Sequence, residues 1–156
     1  MLDVAGLLRR HAGRTAYFDT NIFIYLLGNN PTYAGLCLQL LQACANQELQ
    51  GLSGDVTLAE LLVKPLQAND AKAVAAVREL LIESGAITLV SHSRKAFERA
   101  AELRAKHGLK MVDALQLATA LDVQAACFVS NGRDFPEVPG IECLSLDSVS
   151  GWIGRS

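Results

Sequence analysis

Five short β-prone runs stand in this chain, and helical stretches separate most of them. Thr15-Ala16-Tyr17-Phe18 comes first, followed by Leu49 to Ser53, Ala86 to Val90, Cys127 to Val129 and Ile141 to Leu144. Strands joined through helices pair in parallel, and the helices then cover both faces of the sheet. The alternation predicts an α/β fold with a mainly parallel sheet covered on both faces. In such sheets a ligand sits at the carboxyl ends of the strands, where the strand order reverses. The polar residues just after each β-prone run are therefore the ones to inspect.

Between the strands the spacing is helical. Ile22 to Leu27 reads as a buried helical turn or two, stopped by Gly28-Asn29-Asn30-Pro31. Apolar residues at 36, 37, 40, 41 and 44 predict a helix from Tyr33 to Gln47. Asp55 to Leu66 is a further helix ending near Pro65, and Asn69 is expected to cap the next, which Gly85 closes. Ser93 is expected to cap a charged helix running to His107, and Val112 to Ala125 forms another. Asp147 to Ile153 reads as a last helical turn.

The chain has 156 residues, 51% apolar and 19% charged, which suits one domain with its own core. Residues 1–14 read as an arm or short helix, 15–150 as the domain and 151–156 as a tail. A net charge of -2 excludes a wholesale polyelectrolyte grip on nucleic acid but leaves room for a local basic strip. Four cysteines, at 37, 44, 127 and 143, show neither CxxC nor zinc spacing and read as small buried hydrophobes. No segment approaches the ~20 apolar residues of a membrane span. Asp3 and the pair Arg9-Arg10 interrupt what would be a signal peptide's apolar stretch, so a cytoplasmic address is expected.

Four acids draw notice. Asp19 ends the first strand beside Tyr17 and Phe18; it is either an N-cap or a carboxylate held by a cation. Asp113 is the only charge between Lys110 and Asp122, in a run otherwise dense in Ala and Leu, and it also suits the helix dipole. Glu60 either closes a capping box with Thr57 or, if the helix begins at Asp55, lies in its second turn and points inward. Asp134 follows the polar turn Ser130-Asn131-Gly132-Arg133 and is either solvated or part of a site. Converging carboxylates repel one another in a low-dielectric pocket, and a divalent cation relieves that repulsion. An all-oxygen set without Cys or His points to Mg²⁺ or Mn²⁺. Such an ion can activate a water for in-line attack on a phosphodiester. There is no GxGxxG, GxxxxGK[ST] or GxSxG, and the three histidines lack zinc-protease spacing.

Four segments, in order, are Phe18-Asp19-Thr20-Asn21-Ile22-Phe23-Ile24-Tyr25, Thr57-Leu58-Ala59-Glu60-Leu61-Leu62, Val112-Asp113-Ala114-Leu115-Gln116-Leu117-Ala118-Thr119-Ala120 and Val129-Ser130-Asn131-Gly132-Arg133-Asp134-Phe135. Together they resemble a PIN domain, in particular the VapC-type toxin nucleases of prokaryotic toxin–antitoxin pairs, over roughly residues 15 to 150. The resemblance implies a three-layer α/β/α fold with a central, mainly parallel sheet, and Mg²⁺- or Mn²⁺-dependent cleavage of single-stranded RNA. It places Asp19, Glu60 and Asp113 on the family's three metal-binding acids. Asn21 falls on the polar companion of the first, and Ser130 on the small hydroxyl before the last acid. One departure stands out: Gly132 occupies the place of the family's fourth acid, so Asp134 or Asn131 is expected to complete the metal's shell. The family also implies a small antitoxin partner and a homodimer, for which the Leu-rich faces at 36–41 and 61–66 are candidates.

Between His92 and Lys110, six basic residues stand against two acids. Arg94, Lys95, Arg99 and Lys110, with Arg133 in the turn, are candidates to position an RNA backbone without reading bases. Arg9, Arg10 and Arg14 form a second basic cluster. Two rival readings follow. One is a catalytically silent PIN-like module that binds RNA or a partner, motivated by Gly132. The other is a phosphatase of the haloacid dehalogenase type, weakened by Asn21 where many members carry a second acid.

Overall fold

The computed structural model describes residues 3–132 and 135–147. Its elements, in order, are α1 (Val4–His11), β1 (Thr15–Phe18), α2 (Thr20–Leu27), α3 (Ala34–Ala45), β2 (Gln50–Gly54), α4 (Asp55–Gln67), α5 (Ala71–Arg78), β3 (Ile87–Val90), α6 (Arg94–His107), α7 (Met111–Asp122), β4 (Cys127–Ser130) and β5 (Glu142–Ser145). A π-helical segment, Glu79–Glu83, continues α5.

The strands form one sheet in the order β3-β2-β1-β4-β5, and every pairing is parallel. The three-layer α/β/α arrangement follows from side-chain alternation. Along β1, Ala16 and Phe18 enter one core with residues of α1 to α5, while Tyr17 enters the other with α6 and α7. β4 repeats the pattern, with Cys127 and Val129 on the first side and Phe128 on the second. Period-two alternation with both faces apolar is what a sheet buried on both sides requires. Tyr17 stacks on Phe128 at 5.8 Å between ring centroids, and both are fully buried.

The chain winds outward from β1 through β2 to β3, then returns to the other side of β1 with β4. The strand order thus reverses between β1 and β4, and the crevice opens at their carboxyl ends. Asp19 and Ser130 stand there.

Several local expectations are corrected. Asn69 does not cap α5: it sits at φ 51°, and Asp70 caps instead, accepting from Ala73 N at 3.0 Å. The last long helix ends at Asp122 rather than Ala125, because Ala125 is already turning into β4. The Ile22–Leu27 run is only partly buried; Ile22 and Phe23 are inside, while Ile24 and Leu27 are exposed. Of the leucines offered as dimer contacts, Leu36, Leu40, Leu41 and Leu61 lie in the chain's own core, and Leu38 and Leu66 are exposed. Arg10, in the second basic cluster, pairs with Glu142 at 3.0 Å. The expected helical turn from Asp147 to Ile153 lies mostly outside the described residues. Among the described residues, no helix is long and apolar enough to cross a membrane.

The charged helix behaves as read. Ser93 Oγ accepts from Ala96 N at 3.0 Å, and Gly108 ends α6 in the left-handed region at φ 70°. Just before it, His92 Nε2 accepts from Val56 N at 3.1 Å, which leaves Nδ1–H to donate to Thr119 Oγ1 at 2.7 Å. Cys37, Cys44 and Cys127 are buried and Cys143 half-buried, all free thiols that burial pushes up to about 11 or 12.

Candidate functional site

Asp19 has two jobs at once. Its Oδ1 accepts from Thr20 N at 2.8 Å as the N-cap of α2, and its Oδ2 accepts from Ser130 Oγ at 2.9 Å. Ser130 Oγ in turn accepts from Gly132 N at 2.9 Å. The carboxyl group is 5% exposed, and burial is the main force that pushes it up to about 6. The bonds from Ser130 and Thr20 act in the other direction; the negative charges of Asp113 and Glu60 raise it further.

α4 begins at Asp55 behind Gly54, and no side chain caps it. The Thr57–Glu60 capping box is therefore absent. Glu60, one turn further on, presents Oε1 to Thr20 Oγ1, which donates at 2.5 Å. Asp113 lies in the first turn of α7 and is half-buried. Two further elements thus bring Glu60 and Asp113 within electrostatic reach of Asp19, at the carboxyl end of β1. They do not form a closed cage as they lie. Among the described residues, no three His, Cys, Asp or Glu side chains are grouped closely enough to hold a metal ion.

Two further side-chain oxygens, Asn21 Oδ1 and Asn131 Oδ1, are buried without a partner among the described residues, although Asn131 Nδ2 donates to Tyr25 Oη at 3.0 Å. An unpaired buried carbonyl costs on the order of 1–3 kcal/mol. A buried acid with like charges in range is chemistry that suits a hard divalent ion, which Asp19 and Asp113 could hold. Glu60 would join them directly or through water.

Sequence reasoning missed the polar network behind the acids. Gln116 is fully buried, three residues after Asp113 on the same face of α7. Its Oε1 accepts from Tyr17 Oη at 2.5 Å, and its Nε2 donates to Thr57 Oγ1 at 2.7 Å and Thr20 Oγ1 at 3.0 Å. Ser53 Oγ lies 2.9 Å from Thr57 Oγ1 and donates to Phe18 O at 2.8 Å. The available signal was a lone amide inside the apolar run Ala114–Ala120.

Gly132 has a steric reason. A Cβ there would lie 2.6 Å from Phe135 Cε2 and 3.3 Å from Ser130 Oγ. Phe135 is itself set edge-to-face on Phe128, at 4.9 Å between centroids. Gly132→Asp, which restores the family's acid, is expected to lower stability by about 1–3 kcal/mol through overpacking. Chemical denaturation of the two proteins checks this. Arg133 and Asp134 lie outside the described residues. Arg94, Lys95 and Arg99 are exposed along α6, and Lys110 is exposed at the start of α7, one turn before Asp113.

A family model for the PIN domain matches residues 16–141. No curated protein matches the chain. Solved structures do. A toxin–antitoxin complex from Klebsiella pneumoniae matches with TM-score 0.62 and 26% identity, over 81% of this chain and 94% of that one. VapBC2 from Rickettsia felis, solved with a DNA fragment from its promoter, gives 0.64 and 20%, over 84% and 98%. VapC20 of Mycobacterium tuberculosis, a toxin that cleaves the sarcin-ricin loop, gives 0.58 and 15%, over 72% and 86%.

Proposed function

The chain belongs to the PIN domain family, and from that premise we propose that it is a divalent-metal-dependent endoribonuclease, the toxin of a toxin–antitoxin pair. One observation carries the reading: Asp19, buried where the strand order reverses, has Asp113 and Glu60 within electrostatic range. A Mg²⁺ or Mn²⁺ ion bound there supplies Lewis acidity, lowering the pKa of water and offsetting charge on the phosphate.

The chain's own residues do the rest. Asp19 and Asp113 would hold the ion, with Glu60 beside them. Thr20 N and Ser130 Oγ fix both oxygens of Asp19, so a cation would meet a carboxylate ligand already oriented. Asn21 and Asn131 offer amide oxygens to the ion's hydration shell, and Asp134 is the remaining acid of the set. Arg94, Lys95, Arg99, Lys110 and Arg133 position the phosphate backbone. A small antitoxin partner is supported by relatives solved as toxin–antitoxin complexes, and RNA by a relative that cleaves the sarcin-ricin loop. A homodimer and a cytoplasmic address complete the proposal.

Purified protein is expected to cleave single-stranded RNA with Mg²⁺ or Mn²⁺ and to lose that activity in EDTA. Cleavage that persists in EDTA contradicts the metal reading. The absence of a ready three-acid group among the described residues favours a second reading, a silent RNA- or partner-binding module. Calorimetry with Mn²⁺ separates them: binding that Asp113→Asn removes supports the nuclease, and no binding at millimolar metal supports the module.

A further inference from the structure

The Gln116 network ends on a site carboxylate, and its geometry gives it a direction. Tyr17 Oη donates to Gln116 Oε1, so both hydrogens of the amide nitrogen face Thr57 and Thr20. Filling an acceptor position on Thr20 Oγ1 leaves that hydroxyl's own proton to point outward. It meets Glu60 Oε1 at 2.5 Å, the length of a charge-assisted O–H···O⁻ bond. Thr20 and Thr57 are also 3.0 Å apart, so the two hydroxyls brace each other.

We propose that Gln116 and Thr20 are positioning residues: together they hold the Glu60 carboxylate beside Asp19 in the orientation that a divalent ion needs. The inference rests on the ribonuclease reading. Packing alone does not call for an amide at 116. Gln116 is fully buried between Ala114 and Ala120, and it bonds the buried Tyr17, Thr57 and Thr20 hydroxyls, so the polar network has to be explained as a unit. Replacing buried hydrogen-bonded partners with apolar groups of similar shape is often close to neutral for stability. The network's outer end supplies the reason for an amide. Glu60 itself is exposed on a long, flexible stem, and among the described residues Thr20 is the one seen to fix its head. An unrestrained glutamate loses side-chain entropy on joining a metal site, and a fixed one has lost it already.

The test uses the full chain and Mn²⁺ alone. Mn²⁺ affinity by calorimetry and cleavage of single-stranded RNA are measured for the parent, Thr20→Val, Thr20→Ser and Gln116→Leu. Thr20→Val and Gln116→Leu are each expected to weaken Mn²⁺ binding and slow turnover by about 10- to 100-fold, the usual effect of removing a residue that orients a ligand. Thr20→Ser, which keeps the hydroxyl, is expected to stay near the parent. Parental Mn²⁺ affinity in folded Thr20→Val, even with a lowered melting temperature, overturns the inference and leaves a structural role. Should Gln116→Leu fail to fold by circular dichroism, Thr20→Val against Thr20→Ser decides alone. A parent that binds no Mn²⁺ and cleaves no RNA overturns the ribonuclease reading as well, and is recognised without any variant.

Discussion

Asp19→Asn is expected to lower RNA cleavage by about 10³-fold or more while leaving the fold intact. The substitution removes one charge and almost no volume. The amide oxygen still accepts from Thr20 N, so the cap on α2 survives. Ser130, which donates to Oδ2 in the parent, can accept from the new amide instead. What is lost is the most buried negative charge in the site. Charge stabilisation by a bound metal is worth several kcal/mol in the transition state, and each 1.36 kcal/mol is a factor of ten. Initial rates on single-stranded RNA, with circular dichroism as the check on folding, measure the effect. A rate equal to the parent's removes Asp19 from the mechanism.

The same substitution is expected to stabilise the metal-free protein at neutral pH. Burial pushes the folded Asp19 carboxyl up to about 6 from an ordinary 3.8. The folded chain therefore holds that proton more tightly than the unfolded chain does. The resulting stabilisation is complete below about pH 4 and is lost as pH rises through about 6. Folding with this charge buried, desolvated and facing Asp113 and Glu60 costs about 3 kcal/mol more than folding with the carboxyl protonated. The substituted amide carries no charge, so the variant should melt at higher temperature than the parent at pH 7 in EDTA, and the gap should close near pH 4. Adding Mn²⁺ should raise the parent's melting temperature and leave the variant's unchanged. A variant less stable than the parent at pH 7 in EDTA would show that the hydrogen bonds to Asp19 outweigh the cost of burying its charge.

Much of the architecture was legible because burial imposes periods on the sequence. Tyr17 against Ala16 and Phe18, and Phe128 against Cys127 and Val129, alternate between two cores, which is why those runs read as strands of a covered parallel sheet. Helix starts were less legible, since capping depends on backbone angles that composition does not record. Asn69 and Asp70 are both good caps by type, and the left-handed turn at Asn69 decides for Asp70. Thr57 and Glu60 have capping-box spacing, but the helix begins two residues before Thr57, at Asp55. Thr57 is consequently inside the helix, buried and bonded to Gln116.

The acids were legible because a charge in an apolar run is conspicuous: Asp19 after Tyr17-Phe18, and Asp113 before Ala114-Leu115. Their helper Gln116 was not, because one neutral amide barely disturbs a hydrophobic pattern. Its bonds run to residues 99, 96 and 59 positions away, separations that no local spacing encodes.

The central claim is that Asp19, Glu60 and Asp113 serve one cation. Anomalous scattering from a crystal soaked in Mn²⁺ tests it most directly. The expected map has a peak roughly 2 Å from carboxylate oxygens of Asp19 and Asp113, the oxygen distance of a small hard ion, with Glu60 bound to it or one water away. Well-ordered acids with no peak between them at saturating Mn²⁺ would contradict the account.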